Sequence, residues 1–273
     1  MNLPLLAGFA LAALGWLWLA QTAVLLSEGQ RRIWVLPFRH GTESHRVRGW
    51  LKLALVTGLT AALLLFPWAV GQNPLRYHGE KFSLRHWGLS LQALLLVCGL
   101  LSILLAASVL TGWAKLERRH STRRLIYKVA KAFLIPLPLT LMEEPLFRGL
   151  ILEQLGQFFP ATVFGQGVAL ILSAIIFALA HFLRPQKHTL LAAVGLFYVG
   201  LVLGLMYLLS GHHYLLPIAF HAAGVFFIQA TRPLTVYYGP AWLVGRSTYP
   251  IAGLLGLLAL TTAAGIISAQ LVG

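Results

Sequence analysis

The chain has 273 residues, 58% of them hydrophobic and only 10% charged, with a formal net charge of +14. A soluble domain carries roughly 25% charged residues, so this chain cannot cover its own surface in water, and lipid must solvate most of it. All seven acidic residues are glutamates, which excludes any mechanism built on an aspartate dyad. The basic residues lie in short clusters between apolar runs, as in juxtamembrane segments; with no polar, base-reading domain beside them, nucleic acid is not an expected partner. Cys98 is the only cysteine and sits within an apolar run, so no intrachain disulfide is possible.

A hydrocarbon core of about 30 Å takes roughly 20 apolar residues as a helix. In chain order, such runs fall near 3–26, 50–70, 89–113, 129–157, 162–183, 190–209, 213–231 and 250–271. Backbone groups in lipid must be satisfied within the segment, and the alternation of a barrel strand is absent. The predicted fold is therefore all-α, a polytopic membrane helix bundle of about eight transmembrane helices. The first run lacks a positive leader and exceeds the apolar stretch of a signal peptide, so it reads as a retained span. The loops at 27–49 and 71–88 have room for short interfacial helices, and Pro136 and Pro138 should loosen the start of the fourth span.

Loop charges give an orientation. Arg31, Arg32, Arg39, Arg46 and Arg48 lie in one loop, and Lys115, Arg118, Arg119, Arg123 and Arg124 in another. Arg184 and Lys187, then Arg232 and Arg246, mark two more connections on the same side if the spans alternate. The opposite connections, 71–88, 158–161 and 210–212, carry fewer cations or none. The positive-inside rule then puts the basic loops in the cytoplasm, both termini outside and the protein in the cell inner membrane.

An ionisable group within a span costs about 2.5–3.5 kcal/mol on insertion scales, so such positions point to function. The fourth span holds Glu143, Glu144 and Arg148, the fifth ends in Phe177 and His181, and the seventh contains His221. Glu144 and Arg148, four apart, share a helix face and can pair. Glu143 projects about 100° away; kept from water and without a cation on its own helix, it suits a general base. Glu143 and His181 lie at similar distances from the 158–161 turn, so antiparallel packing would bring them to one depth. His212 and His213 fall in a polar turn and read as solvated, His188 as a loop residue facing phospholipid, and Trp113 and Tyr214 as interfacial anchors. No His-Glu-x-x-His or Gly-x-Ser-Gly supports a site-2-type or rhomboid-type protease.

Glu-Glu-x-x-x-Arg, then Phe-x-x-x-His, then a third helix bearing His resembles the CAAX protease and bacteriocin-processing family, which includes the CAAX prenyl endopeptidases of the Ras-converting type. The match runs over about 127–231. The resemblance implies an intramembrane, glutamic-type endopeptidase acting on a membrane-anchored or lipidated polypeptide. Glu143 and His181 would activate water, His221 would stabilise the oxyanion, and Glu144 and Arg148 would orient Glu143. It implies three zones: N-terminal transmembrane helices at 1–120, a CAAX-protease-like core at 121–235 and a C-terminal transmembrane helix at 236–273. Membrane lipids and the peptide are the expected partners. No cofactor is required, although Glu143, His181 and His221 are also a donor set for a divalent metal such as zinc. The third motif departs from the family at Val225, where Asn or Asp is usual. That departure keeps a second expectation open, a catalytically impaired relative that binds membrane peptides as an immunity or scaffolding protein.

Overall fold

The computed structural model describes residues 45–117, 120–134, 136–182, 189–246 and 249–272, with scattered positions between 8 and 26. Outside them fall most of the first apolar run, the cationic loop before residue 45, and Arg118, Arg119, Arg184, Lys187 and His188.

In chain order the helices are α1 (His45–Ala69), α2 (Pro74–Gly79), α3 (Trp87–Leu110), α4 (Thr122–Leu134) and α5 (Pro136–Glu144). A π-helical segment (Pro145–Leu152) leads into α6 (Glu153–Gly156), α7 (Val163–Phe182), α8 (Leu190–Leu209) and α9 (Leu215–Thr231). The chain closes with α10 (Ala241–Val244) and α11 (Leu254–Val272). Among the described residues, five stretches are long and apolar enough to cross a bilayer: 87–110, 122–156, 163–181, 190–209 and 254–271. Two further apolar helices, 56–69 and 215–231, are shorter, so seven of the about eight expected runs are helical among the described residues, and the first run falls mostly outside them. The seventh run is cut short because Gly211 and His212 take φ of 72° and 67°, a left-handed turn that delays the start of α9.

Two strands were not expected. Ala114–Leu116 pairs antiparallel with Thr235–Tyr237, so the connections that follow α3 and α9 lie side by side. At the other end of those helices, the Tyr214 amide donates to the Lys81 carbonyl (2.9 Å) and the His86 Nε2–H to that of Ser210 (3.1 Å). The 81–86 and 210–214 connections thus meet at one end of those helices and the 114–117 and 234–239 connections at the other. The expected short helix in 71–88 is α2, capped by the Asn73 carboxamide, which accepts from the Leu75 and Arg76 amides.

The core is made by α3 packing along α9 and α11, α7 along α8, and α9 along α5. Val97, Leu101, Phe177, Leu203, Met206 and Phe220 are buried where they meet, while Leu95, Ile103, Leu190 and Leu258 are exposed, as side chains facing acyl chains would be. Two close approaches shape the site. A Cβ on Gly200 would lie 3.0 Å from the Ala174 Cα, so glycine lets α8 press against α7. Pro145 has no amide to donate and opens the wider π turn. Within that turn Gly149 leaves room for the Tyr214 hydroxyl, which any Cβ would overlap.

Candidate active site

The five charged or ionisable side chains singled out within the spans converge. Glu143 and Glu144 end α5, Arg148 lies in the π segment, His181 near the end of α7 and His221 in α9, and all five are buried. Arg148 and Glu144 pair as their spacing predicts, Nε to Oε2 at 3.1 Å. The guanidinium also reaches the Gly200 carbonyl (Nη2 to O, 3.4 Å) and lies 4.8 Å from the centre of the Phe177 ring. A buried cation is tolerated here because a carboxylate, a carbonyl and an aromatic face surround it.

Glu144 does more than balance Arg148. Its Oε1 lies 2.7 Å from His221 Nδ1, a contact joining α5 to α9 that local spacing could not reveal. The carboxylate thus meets this imidazole as well as the guanidinium. His181 is fixed otherwise: its Nδ1–H donates to the Phe177 carbonyl one turn earlier, at 2.8 Å. A carbonyl can only accept, so His181 Nε2 keeps its lone pair in the neutral ring. Both Nε2 atoms face Glu143 Oε2, His181 at 3.9 Å and His221 at 3.8 Å. These separations exceed a direct hydrogen bond and suit groups that share a water. The Phe177 ring underlies both imidazoles, with centroids at 4.4 Å and 5.9 Å, which gives the Phe-x-x-x-His spacing its physical sense.

The three groups border a cavity of roughly 180 Å³. Its walls are mainly apolar, from Leu139, Leu196, Val199, Phe220, Val225, Ile228 and Leu260, with Gln229, Arg232 and Tyr249 as polar lining. At about 30 Å³ per water molecule, the space admits several waters or part of a peptide.

Residues 125–227 match the family model described as type II CAAX prenyl endopeptidase Rce1-like. This stretch is Rce1-like. No curated protein and no solved structure matches the chain. The Rce1-like segment contains Glu143, Glu144, Arg148, His181 and His221, and the match agrees with the resemblance carried by the motifs. Together with the helices long and apolar enough to cross a bilayer, it makes the chain an integral membrane protein with a segment similar to that family.

Glutamate and histidine suit zinc as donors. Tetrahedral ligation at about 2.0–2.1 Å puts donor atoms about 3.4 Å apart, closer than the 3.9 and 3.8 Å found here. As they stand, no three His, Cys or Glu side chains among the described residues form a metal-holding group.

A second polar cluster escaped sequence reasoning. Glu153, one turn beyond Gly149, accepts from the Tyr77 hydroxyl (2.9 Å) and the Tyr207 hydroxyl (2.5 Å), pairs with Lys81, and lies 3.3 Å from His212 Nδ1. Tyr77 also donates to the Gly149 carbonyl. His212, expected to be solvated, is half exposed but held by this carboxylate, and the His213 ring stacks near His86 at 5.6 Å. The available signal was Glu153 itself, a carboxylate in an apolar run, which required a cation from elsewhere. Glu153→Leu is expected to cost about 1–3 kcal/mol by stranding Lys81 and the Tyr207 hydroxyl. Lys81→Met/Glu153→Leu should regain most of that in thermal unfolding in detergent.

Nearby, Pro67 cannot donate to the Leu63 carbonyl, and His78 Nε2–H takes its place at 2.9 Å. Burial pushes His78 below the usual histidine range. The stability held in this neutral ring is therefore present above that range and lost as pH falls.

Proposed function

We propose that the protein is an intramembrane peptidase in which Glu143 and His181 activate a water for attack on a peptide carbonyl. The observation that supports this best is the facing of two imidazole Nε2 atoms and one carboxylate oxygen, 3.9 and 3.8 Å apart, beside a cavity with apolar walls. Glu143 takes one proton from the water, and His181 Nε2 accepts a hydrogen bond from the O–H that remains and holds the oxygen in line. As the tetrahedral intermediate forms, His221 acts as the imidazolium, donating Nδ1–H to Glu144 and Nε2–H to the oxyanion. Glu143 then returns its proton to the leaving amine. Two carboxylates and one guanidinium leave the buried cluster one negative charge, which the imidazolium of His221 balances, while the proton taken from water only passes through Glu143. The chemistry rests on these side chains, whose separations of 3.9 and 3.8 Å are wider than zinc ligation takes.

The apolar walls and the depth of the site favour a membrane-anchored or lipidated polypeptide, and the loop charges favour cleavage near the cytoplasmic face of the inner membrane. The zones 1–120, 121–235 and 236–273 would serve as scaffold, catalytic core and closing helix. Purified protein in liposomes with a fluorogenic membrane-anchored peptide tests this: one defined cleavage, identified by mass spectrometry, is expected. Absence of cleavage across prenylated, unprenylated and leader-type peptides would overturn it.

Val225 supports a second reading, an impaired relative that binds membrane peptides, because it puts an apolar side chain in the wall of the same cavity. An oxyanion donor is worth about 10²–10³ in rate. With His221 sufficing, Val225→Asn should change kcat by less than about fivefold, well below that range. A gain of the full size marks the parent chain as the impaired relative.

A further inference from the structure

The 35 residues from Thr122 to Gly156 would extend about 52 Å as one helix. A hydrocarbon core is about 30 Å thick, so about two-fifths of such a helix would lie outside it. Composition says which part. Arg123, Arg124, Lys128 and Lys131 all fall in α4, and α5 and the π segment between them carry no cation but the buried Arg148.

Around α4 the four cations occupy one arc of about 140° at 100° per residue. Leu125, Val129 and Ala132 form a second arc, half-buried or buried, where α4 packs on α9. Ile126, Ala130 and Phe133 form a third, apolar yet exposed, with Ile126 at 64% and Phe133 at 65%. Phe133 also meets Phe226 of α9, ring centres 4.6 Å apart, which fixes the rotation of the helix. One helix thus presents a protein-packed face, an exposed apolar face and a cationic face, exposed except at Lys128, which is half-buried against His120. Water satisfies only the last of these, and the acyl layer only the second; the boundary between them satisfies both.

We infer that α4 lies at the membrane boundary as a platform for anionic phospholipid headgroups, with Arg123, Arg124, Lys128 and Lys131 on the phosphates and Ile126 and Phe133 in the acyl layer. Charge complementarity selects this partner, and each cation adds about fivefold to surface partitioning at low salt. The platform also sets depth. Glu143 follows Leu134 by nine positions, about 13 Å further along a helix, so headgroup binding holds the candidate site at a fixed level below the surface. That consequence rests on the proposed peptidase reading; the lipid contact does not.

The test uses the full chain with Cys98→Ala and Ile126→Cys carrying an environment-sensitive fluorophore, in phosphatidylcholine vesicles with and without phosphatidylglycerol. Quenching by nitroxide on the acyl chains, and several-fold enrichment of labelled phosphatidylglycerol over phosphatidylcholine around the protein, are expected. Salt should weaken the enrichment. R123Q/R124Q/K128Q/K131Q should abolish it with unfolding in detergent unchanged, whereas R123K/R124K should keep it. Equal enrichment in wild type and the fourfold variant would overturn the inference. So would quenching of the label by aqueous iodide alone, which would mark a water-facing surface suited to an acidic protein. Peptide turnover is measured in the same vesicles: enrichment without turnover contradicts the peptidase reading and leaves the lipid platform standing.

Discussion

Glu143→Gln is expected to give a folded protein with almost no turnover. The substitution keeps the size and most of the polarity of the side chain and removes its ability to take a proton from water. General-base catalysis contributes about 10²–10⁴, so kcat should fall by that factor, while KM stays near its wild-type value because the cavity walls are unchanged. Stability should hold as well. The carboxylate that neutralises the buried guanidinium is Glu144, 3.1 Å from Arg148, whereas Glu143 faces two imidazoles. Peptide turnover and thermal unfolding on the same preparation check both halves, and turnover within tenfold of wild type would remove Glu143 from the role of base.

Arg148→Met should have the largest effect on folding. It strands Glu144, a carboxylate with no exposed surface, and removing one member of a buried pair costs about 3–5 kcal/mol. Neutralising both members, as Glu144→Gln/Arg148→Met, should restore most of that stability, since apolar or neutral replacements of a buried pair are often tolerated. Activity should not follow. Glu144 also holds His221 by its Nδ1 at 2.7 Å, and a carboxamide in its place would leave the imidazole without a charged partner. Stability and kcat therefore diverge in the double variant: unfolding near wild type, turnover still lowered by about 10² or more. If turnover recovered with stability, Glu144 would be a structural residue only.

The parts of the site that could be read from sequence are those governed by local geometry or by the cost of charge in lipid. Glu144 and Arg148 are one turn apart and do pair; Glu143 and His181 are about equally far from their connecting turn and do meet. The contacts of His221 depend on how α9 sits against α5, and lateral packing of apolar helices leaves little trace in hydropathy. The Gly200 carbonyl beside Arg148 was hidden for the same reason, since it exists only because α8 presses on α7 at a glycine. Lys81 looked like an ordinary loop cation until α2 and the turn at 210–214 folded over Glu153. Among the described residues the predicted helices matched along the long apolar runs; the seventh starts later because of the left-handed turn before α9, and the fourth begins earlier, in the cationic residues that make α4 amphipathic. The two-stranded ribbon had no alternating pattern to announce it, with three residues in each strand.

The claim at the centre is that Glu143 and His181 act on one water as a unit. A double-mutant cycle with Glu143→Gln, His181→Ala and the combination measures this directly through kcat. Groups that share one step are strongly non-additive, so the combined variant should be no slower than the worse single one, within about threefold. Two losses that multiply in full would mean that carboxylate and imidazole work independently, and the shared water would have to be abandoned.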